Sequence, residues 1–127
     1  MALADCAVHP TLPVQDLARA RSFYEDVLGL KAASETPGGI FFDAGAGTRV
    51  AVVLSQGASS GSHTQAGWAV SDIAAEVAEL RSKGVVFEEY DFPSLKTVDG
   101  IADVPAGRAA WFKDPEGNLH GMVQLNV

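Results

Sequence analysis

A short motif that occurs twice constrains the fold of this chain more than any other feature of its sequence. Val14-Gln15-Asp16-Leu17-Ala18 recurs as Val70-Ser71-Asp72-Ile73-Ala74, and Leu28-Gly29-Leu30 has its counterpart in Lys83-Gly84-Val85. Each copy predicts a short strand, an acidic helix cap, an amphipathic helix and a glycine stop. A unit of about 55 residues buries so little surface that its stability alone would be marginal. The repeat therefore predicts one domain of two similar modules, with a ligand cleft where they meet.

Composition and charge restrict the class of partner. The chain has 127 residues, of which 47% are hydrophobic and 20% are charged, as is typical of a compact globular domain. Its formal net charge is −7 and its nine Lys and Arg residues form no run, so we expect neither nucleic acid nor an anionic membrane as a partner. Cys6 is the only cysteine, which favours a reducing cytoplasm. We expect no signal peptide and no membrane span.

Hydrophobic periodicity predicts the element order βαβββ in the first module. We expect a strand over Ala7–Val14 and then a helix that Asp16 caps and Gly29 ends. The buried stripe of this helix is predicted to be Leu17, Ala20, Tyr24, Val27 and Leu28. The remaining strands are predicted around Lys31–Thr36, Ile40–Asp43 and Arg49–Ser55.

The same order is predicted for the second module. A Gly- and Ser-rich linker at 56–64 separates module 1, about 7–55, from module 2, about 65–126, within a single domain over 1–127. Asp72 is predicted to cap a helix whose buried stripe is Ile73, Val77 and Leu80. The later strands are predicted at Val85–Asp91, Ala109–Lys113 and Leu119–Leu125, with a tight turn at Asp114–Asn118.

Two interpretations stay open for the middle of the second module. The acidic stretch Glu88-Glu89-Tyr90-Asp91 is either a solvated edge that discourages strand pairing or a rim that attracts a cationic or hydroxyl-rich ligand. The segment Phe92–Gly107 is longer than its counterpart in the first module. Because long loops in compact domains are often functional, a lid or pocket wall is one interpretation of this segment.

Three motifs, in order along the chain, resemble the vicinal oxygen chelate superfamily of glyoxalases, bleomycin resistance proteins and extradiol dioxygenases. The first motif is His9-x-x-Leu12-x-Val14-x-Asp16-Leu17, followed by Ser22-Phe23-Tyr24 and Val27-Leu28-Gly29. The second motif is Trp68-x-Val70-x-Asp72-Ile73, followed by Leu80 and Gly84. The third motif is Phe112–Asn118, followed by Gln124. The resemblance covers nearly the whole chain. It implies an α+β fold in which two βαβββ modules form a curved mixed sheet around a cup, and it implies a homodimer.

The resemblance also implies where a catalytic divalent metal would bind. The positions that match the family's ligands, on the opening and closing strands of each module, are His9, Leu54, Gln65 and Gly121. Leu54 and Gly121 have no ligating side chain, so only His9 and Gln65 are left as weak metal candidates, whereas a catalytic site presents three or four ligands. The carboxylate that would act as general base is also missing. We therefore expect no metal cofactor.

Aromatic and polar side chains on the sheet face away from the helices are the candidates for a ligand site. Alternation along the strands places His9 and Thr11 on that face, with one member each of the pairs Phe41/Phe42 and Trp111/Phe112. Trp68 and His120 are expected to belong to the core. The predicted ligand-binding residues are His9, Thr11, Phe41, Phe42, Gln65, Tyr90, Phe92, Trp111 and Phe112.

These features predict a metal-independent protein that binds a small organic molecule in an aromatic cup, for sequestration or sensing. The alternative is an enzyme of the same superfamily, a lyase, isomerase or dioxygenase, whose metal site is shifted to His9 and acids such as Glu88, Glu89 or Asp91. A third interpretation is a metal-free enzyme that uses His9 as acid or base. That enzyme would need a polar partner to orient the imidazole.

Overall fold

The computed structural model of the protein describes residues Ala2–Asn126. The chain divides into two compact units, Met1–Gly57 and Ala58–Val127. Each unit contains a mixed sheet and a helix that packs against it. The α+β fold class predicted from the sequence is therefore confirmed.

The first unit contains a four-stranded sheet. Its strands are β1 (Thr11–Val14), β2 (Lys31–Thr36), β3 (Gly39–Asp43) and β4 (Arg49–Leu54), in the order β1-β4-β3-β2. β1 runs parallel to β4, and the other neighbours are antiparallel. Short 3₁₀ turns occur at Leu3–Asp5 and Gly45–Gly47.

Helix α1 (Leu17–Ser22) of the first unit continues as a π-helical turn over Phe23–Val27. The side chain of Asp16 accepts a hydrogen bond from the backbone N–H of Arg19 at 3.0 Å, which confirms the predicted cap. The ring of Tyr24 is fully buried and stacks on the ring of Phe42, with centroids 5.5 Å apart. This contact identifies the sheet face that α1 and its π turn cover.

The second unit contains a six-stranded sheet in the order β5-β10-β9-β8-β7-β6. Its strands are β5 (Ala66–Ala69), β6 (Asp91–Phe92), β7 (Leu95–Val98), β8 (Ile101–Val104), β9 (Gly107–Lys113) and β10 (Leu119–Leu125). β5 runs parallel to β10, and the other neighbours are antiparallel. The tight turn between β9 and β10 is as predicted, because the buried Asp114 carboxylate accepts hydrogen bonds from the backbone N–H groups of Glu116 and Asn118.

Helix α2 (Ile73–Ser82) is the main helix of the second unit. Asp72 caps it by accepting a hydrogen bond from the N–H of Ala75 at 3.1 Å. The side-chain oxygen of Gln124, on β10, accepts a second hydrogen bond from the N–H of Ile73 at 2.8 Å. The predicted stripe of Ile73, Val77 and Leu80 is buried. Two unpaired N–H groups at the helix start are thus satisfied, one locally and one by the sheet.

The predicted strand at Val85–Asp91 is wrong. Of this segment only Asp91 belongs to a strand, β6. Its contact with β9 is one isolated bridge, between Phe87 and Phe112, together with a bond from the N–H of Glu88 to the carbonyl of Trp111 at 2.8 Å. The edge of β9 over Gly107–Ala109 is occupied by β8 instead. Val85 and Phe87 are buried and alternate with exposed or half-buried residues, so the segment has the burial pattern of a strand but pairs with β9 only at Phe87.

The segment Phe92–Gly107 is built from regular strands. β7 and β8 form a hairpin whose turn is Asp99-Gly100, with φ of 53° and 81°. β6 adds a further short strand at the sheet edge. This part of the chain is therefore a paired extension of the sheet and not a long loop.

The first predicted strand has different limits in the structure. The first strand begins at Thr11 and not at Ala7, since Pro10 has no N–H to donate and contributes its carbonyl, which accepts from the N–H of Ala51. Within the segment predicted as a linker, 56–64, the Ser59 hydroxyl donates a hydrogen bond to the side-chain oxygen of Gln65. Among residues Ala2–Asn126, no helix combines the length and the apolar character needed to cross a membrane.

Candidate functional site

The face of the first sheet that turns away from α1 carries three of the predicted ligand-binding residues. Because Phe42 is fully buried against Tyr24, its neighbour Phe41 projects from the opposite face. The imidazole of His9 lies edge-on to the Phe41 ring, with centroids 4.9 Å apart. Thr11 lies on the same face, since it alternates with the buried Leu12. His9, Thr11 and Phe41 are thus on one surface of the first unit, and Phe42 is a core residue.

A cavity of about 350 Å³ opens beside Phe41 at the end of the β2–β3 hairpin. Its lining is formed by Ser34, Glu35, Thr36, Gly38, Gly39, Ile40, Phe41 and Val53. The carboxylate of Glu35 is paired with the guanidinium of Arg21. The Thr36 hydroxyl oxygen accepts a hydrogen bond from the N–H of Gly38 at 3.2 Å. The cavity therefore offers an aromatic wall and two hydroxyl groups to a small molecule.

The two faces of the second sheet are identified by the contacts of β10. Gln124 and His120 share one face by alternation, and Gln124 binds the start of α2. The ring of Phe112 stacks on the ring of His120 with an interplanar angle of 4° and centroids 5.0 Å apart. Phe112 is therefore on the α2 face and buried, whereas Trp111 projects from the opposite face.

Three aromatic side chains on the second unit form a continuous surface, which we call the aromatic platform: Tyr90, Phe92 and Trp111. The rings of Tyr90 and Phe92 stack with centroids 6.0 Å apart, and the ring of Tyr90 meets the indole of Trp111 edge-on at 5.5 Å. Phe92 is 58% exposed, and the other two are half-buried. The platform brings together three of the predicted ligand-binding residues that are separate in the sequence.

Backbone hydrogen bonds fix the platform. The N–H of Glu88 donates to the carbonyl of Trp111 at 2.8 Å, which holds residues 88–90 beside β9. The N–H of Tyr90 donates to the hydroxyl of Thr97 at 2.8 Å, and the N–H of Thr97 donates to the carbonyl of Tyr90 at 2.9 Å. Burial and the neighbouring charge of Glu88 raise the pKa of the Tyr90 phenol, so it is neutral near pH 7.

His120 belongs to the core, as predicted. It is fully buried, and its Nδ1 accepts a hydrogen bond from the indole N–H of Trp68 at 3.0 Å. Burial lowers the pKa of His120 to about 4, although the nearby Asp114 carboxylate acts in the opposite direction. Trp68 lies on this α2 face and is half-buried. Neither side chain is placed to touch a ligand on the aromatic platform.

The residues at the implied metal positions do not fit a divalent metal. Leu54 is apolar and half exposed, and Gly121 has no side chain. The amide of Gln65 is engaged within its own unit: its oxygen accepts from the Ser59 hydroxyl and the N–H of Leu119, and its nitrogen donates to Asn118 at 2.8 Å. Over the described range Ala2–Asn126, no three His, Cys, Asp or Glu side chains are grouped so that they could hold a metal ion.

The acids of the alternative metal site have other contacts. Glu88 forms an ion pair with Lys113 at 3.5 Å. Hydrogen bonds from the Thr97 side chain and from the N–H of Gly100 hold the pKa of Glu89 below its usual value. Asp91 is exposed and lies opposite Lys96 in the β6–β7 pair. Each acid thus has a polar or basic neighbour in the second unit.

One residue that contacts the platform was missed in the sequence. The indole N–H of Trp111 donates to the hydroxyl of Thr64 at 3.2 Å, although the two residues are 47 positions apart. Thr64 follows a run of Ser and Gly residues, and no local pattern distinguishes it from them. The cavity residues Ser34 and Val53 were also missed, because a hydroxyl and a β-branched side chain are ordinary residues of a strand.

Comparisons with known proteins agree on one family. Residues 7–121 match the Glyoxalase/Bleomycin resistance protein/Dioxygenase superfamily. The crystal structure of TnmS3, an antibiotic binding protein from Streptomyces sp. CB03234, is 26% identical, with a TM-score of 0.74 over 98% of this chain and 100% of that chain. A member of the same superfamily from Sphaerobacter thermophilus DSM 20745 is 27% identical, with a TM-score of 0.70 over 91% of this chain and 94% of that chain.

More distant similarity supports the fold alone. A bleomycin resistance determinant encoded on the transposon Tn5 is 18% identical, with a TM-score of 0.69 over 95% of this chain and 98% of that chain. No curated protein matches the sequence.

Proposed function

Because the chain belongs to the glyoxalase/bleomycin resistance protein/dioxygenase superfamily, we propose that it binds a small organic molecule and does so without a divalent metal. The observation that carries this proposal is the aromatic platform of Tyr90, Phe92 and Trp111 on the open face of the second sheet. Aromatic and other apolar side chains with a small number of polar groups are the usual lining of a small-molecule site. His9, Thr11 and Phe41 on the open face of the first sheet are proposed as further ligand contacts.

The similarity to TnmS3 supports this proposal. That protein is an antibiotic binding protein, and it is similar to this chain over nearly its full length. Binding would serve sequestration or sensing, since both need a stable complex and no reacting group. The aromatic platform can supply much of the binding free energy, because burying an aromatic ring removes a large apolar surface from water.

The donor set supports binding without the metal that the family's enzymes use. Two of the four implied ligand positions, Leu54 and Gly121, have no donor atom in a side chain. At a third position, the side-chain oxygen and the side-chain nitrogen of Gln65 are both in hydrogen bonds within the second unit. His9 alone cannot form a catalytic site, since such sites present at least three protein ligands.

The binding proposal is tested by a thermal-shift screen followed by calorimetry. The compounds are planar aromatic antibiotics, glycopeptide antibiotics and thiol metabolites. We expect at least one class to raise the Tm by several degrees. We expect the shift to be lost in Trp111→Ala and retained in Trp68→Phe, since Trp68 is on the α2 face. A screen without any stabilising compound would contradict the proposal.

Metal content tests the alternative of a metal-dependent lyase, isomerase or dioxygenase. The protein is purified without chelators and analysed for Zn, Ni, Fe and Mn. We expect less than stoichiometric metal, and we expect the same trace amount in His9→Ala. One equivalent of metal that is lost in His9→Ala would favour the enzyme.

The assembly and the location of the protein stay predictions. We propose a homodimer, which the resemblance implies, and a cytoplasmic location, which the lone Cys6 favours. Sedimentation equilibrium over a tenfold range of concentration tests the dimer. A mass that corresponds to one chain at every concentration would contradict it.

A further inference from the structure

The backbone of Gly121 lies directly beneath the indole of Trp111. The two residues are opposite each other in the β9–β10 register. A Cβ added at position 121 would be 3.2 Å from Nε1 and 3.4 Å from Cδ1 of the indole, and 3.1 Å from Cγ2 of Thr64. The space that a side chain at this position would need is therefore already filled by the indole and the Thr64 methyl group.

Thr64 holds the indole from a second direction. Its hydroxyl accepts the hydrogen bond from the indole N–H at 3.2 Å. The chain at Thr64 is itself fixed, because the N–H of the next residue, Gln65, donates to the carbonyl of Leu119 at 2.8 Å, and the Gln65 side chain accepts from the N–H of Leu119. The hydroxyl therefore has a defined position relative to β10.

Tyr90 contacts the indole from a third direction. The two rings meet at an interplanar angle of 77°, which is the edge-to-face arrangement that aromatic pairs favour. With glycine below, a hydroxyl at the N–H and the Tyr90 ring in T-shaped contact, the indole has little freedom to turn. A side chain whose orientation is fixed before binding loses less entropy when a ligand stacks on it.

We propose that Gly121 and Thr64 are positioning residues that hold the Trp111 indole as a stacking surface, and that the ligand is a planar aromatic molecule. This inference rests on the proposed function and assigns its ligand class. Position 121 is one of the four at which the resemblance implies a metal ligand. Here residue 121 is a glycine, and the indole of Trp111 lies over it in place of a carboxylate. The site is therefore suited to ring stacking and unsuited to a molecule that chelates a metal through two neighbouring oxygens.

The first test needs no ligand. The variant Trp68→Phe leaves Trp111 as the single tryptophan, and acrylamide quenching of its emission reports how tightly the indole is held. We expect Gly121→Ala and Thr64→Val to raise the quenching constant about twofold in this background. Thr64→Ser, which keeps the hydroxyl, and Gly67→Ala, where an added Cβ has no neighbour within 4 Å, should leave it unchanged.

The outcome of this test is decided by Thr64 as well as by Gly121. Circular dichroism establishes that each variant is folded. If Gly121→Ala does not fold, the pair Thr64→Val and Thr64→Ser still decides the result. Equal quenching in the parent, Thr64→Val and Thr64→Ser would overturn the positioning role.

The second test uses two matched probes, 9-aminoacridine and tacrine, which carry the same amine on a three-ring system. All three rings are aromatic in 9-aminoacridine, whereas one ring of tacrine is saturated. We expect 9-aminoacridine to quench Trp111 and to bind at least about tenfold more tightly than tacrine. Thr64→Val should weaken 9-aminoacridine binding about fivefold, and Thr64→Ser should not change it.

The two proposals fail in different ways. If the screened compounds bind but 9-aminoacridine and tacrine bind equally, or bind equally well to Trp111→Phe, the ligand class assigned here is overturned and small-molecule binding stands. If neither the screened compounds nor the probes bind, the proposed function fails together with the assigned ligand class. The acrylamide result still decides the role of Gly121 and Thr64 in that case.

Discussion

The indole Nε1 of Trp68 donates a hydrogen bond to Nδ1 of His120 at 3.0 Å in the core of the second unit. Because Nδ1 accepts this bond, the buried imidazole is neutral and carries its proton on Nε2. Protonation of Nδ1 would place two donors against each other. The packing of Trp68 against His120 on the α2 face therefore requires that His120 is neutral.

The stability of the protein should fall as the pH falls through the range between the unfolded and folded pKa values of His120. The pKa is 6.5 in the unfolded chain and about 4 in the fold, so below pH 6.5 the unfolded state binds a proton that the folded state does not. The stability that follows from the lowered pKa of His120 is fully present above pH 6.5 and is lost progressively down to about pH 4. We expect a loss of about 2 kcal/mol between pH 7 and pH 5, measured by urea unfolding.

His120→Gln is the control for this pH dependence. Glutamine does not titrate, so the variant should be less stable at pH 7 but should lose less stability on acidification to pH 5. A variant with the same slope as the parent would show that other groups cause the acid sensitivity.

The two helix caps should make similar contributions to stability. Asp16 and Asp72 each accept a hydrogen bond from the third residue after them, at 3.0 Å and 3.1 Å. Alanine at either position should lower the free energy of unfolding by about 1 kcal/mol, measured by urea unfolding. Asp72→Ser keeps an oxygen acceptor and should cost much less than Asp72→Ala; equal costs would contradict a capping role.

Gly107 should not tolerate a side chain. It has φ of 153° and lies opposite Leu125, and a Cβ there would overlap the carbonyl oxygen of Gln124. Gly107→Ala should cost more than about 3 kcal/mol or prevent folding, because the obstacle is backbone. Gly67→Ala, in an open position on β5, should change the free energy of unfolding by less than about 0.5 kcal/mol. Equal stability of both variants in urea unfolding would be evidence against this account.

Ala46 should be a position where glycine stabilises the protein. It has φ of 58°, in the left-handed region that alanine rarely adopts. Ala46→Gly should raise the Tm, with a gain of up to about 1 kcal/mol at the midpoint. The neighbour Ala44 has φ of −124°, so Ala44→Gly should lower the Tm. Differential scanning calorimetry of the two variants distinguishes a conformational effect from a general effect of glycine in this loop.

Local signals account for the parts of the fold that the sequence predicts well. β2 and β10 have the predicted limits, and Asp16 and Asp72 cap their helices as predicted. Caps, turns and glycine stops are decided by neighbours in sequence, so their signals can be read directly. The segment Val85–Asp91 could not be assigned in this way, because it alternates like a strand but pairs with β9 only through the bridge between Phe87 and Phe112.

The candidate site shows the same limit. Alternation states that Phe41 and Phe42 face opposite ways, but the burial of Phe42 against Tyr24 is needed to say which one is open. The aromatic residues of the platform were all predicted as ligand contacts, yet Thr64 was not. Its role depends on a hydrogen bond to a distant residue, and such a bond is fixed only by the tertiary structure.

The β6–β7 extension has a consequence for how such proteins can diverge. The first sheet ends at β2, whereas the second continues beyond β8 to β7 and β6. Two of the three platform aromatics, Tyr90 and Phe92, belong to this extension or adjoin it, whereas the Asp72 cap of α2 bonds within its own helix. Selection, or a mutant library confined to residues 90–98, can therefore change the proposed ligand surface while α2 and the strands β5, β8, β9 and β10 keep their sequence.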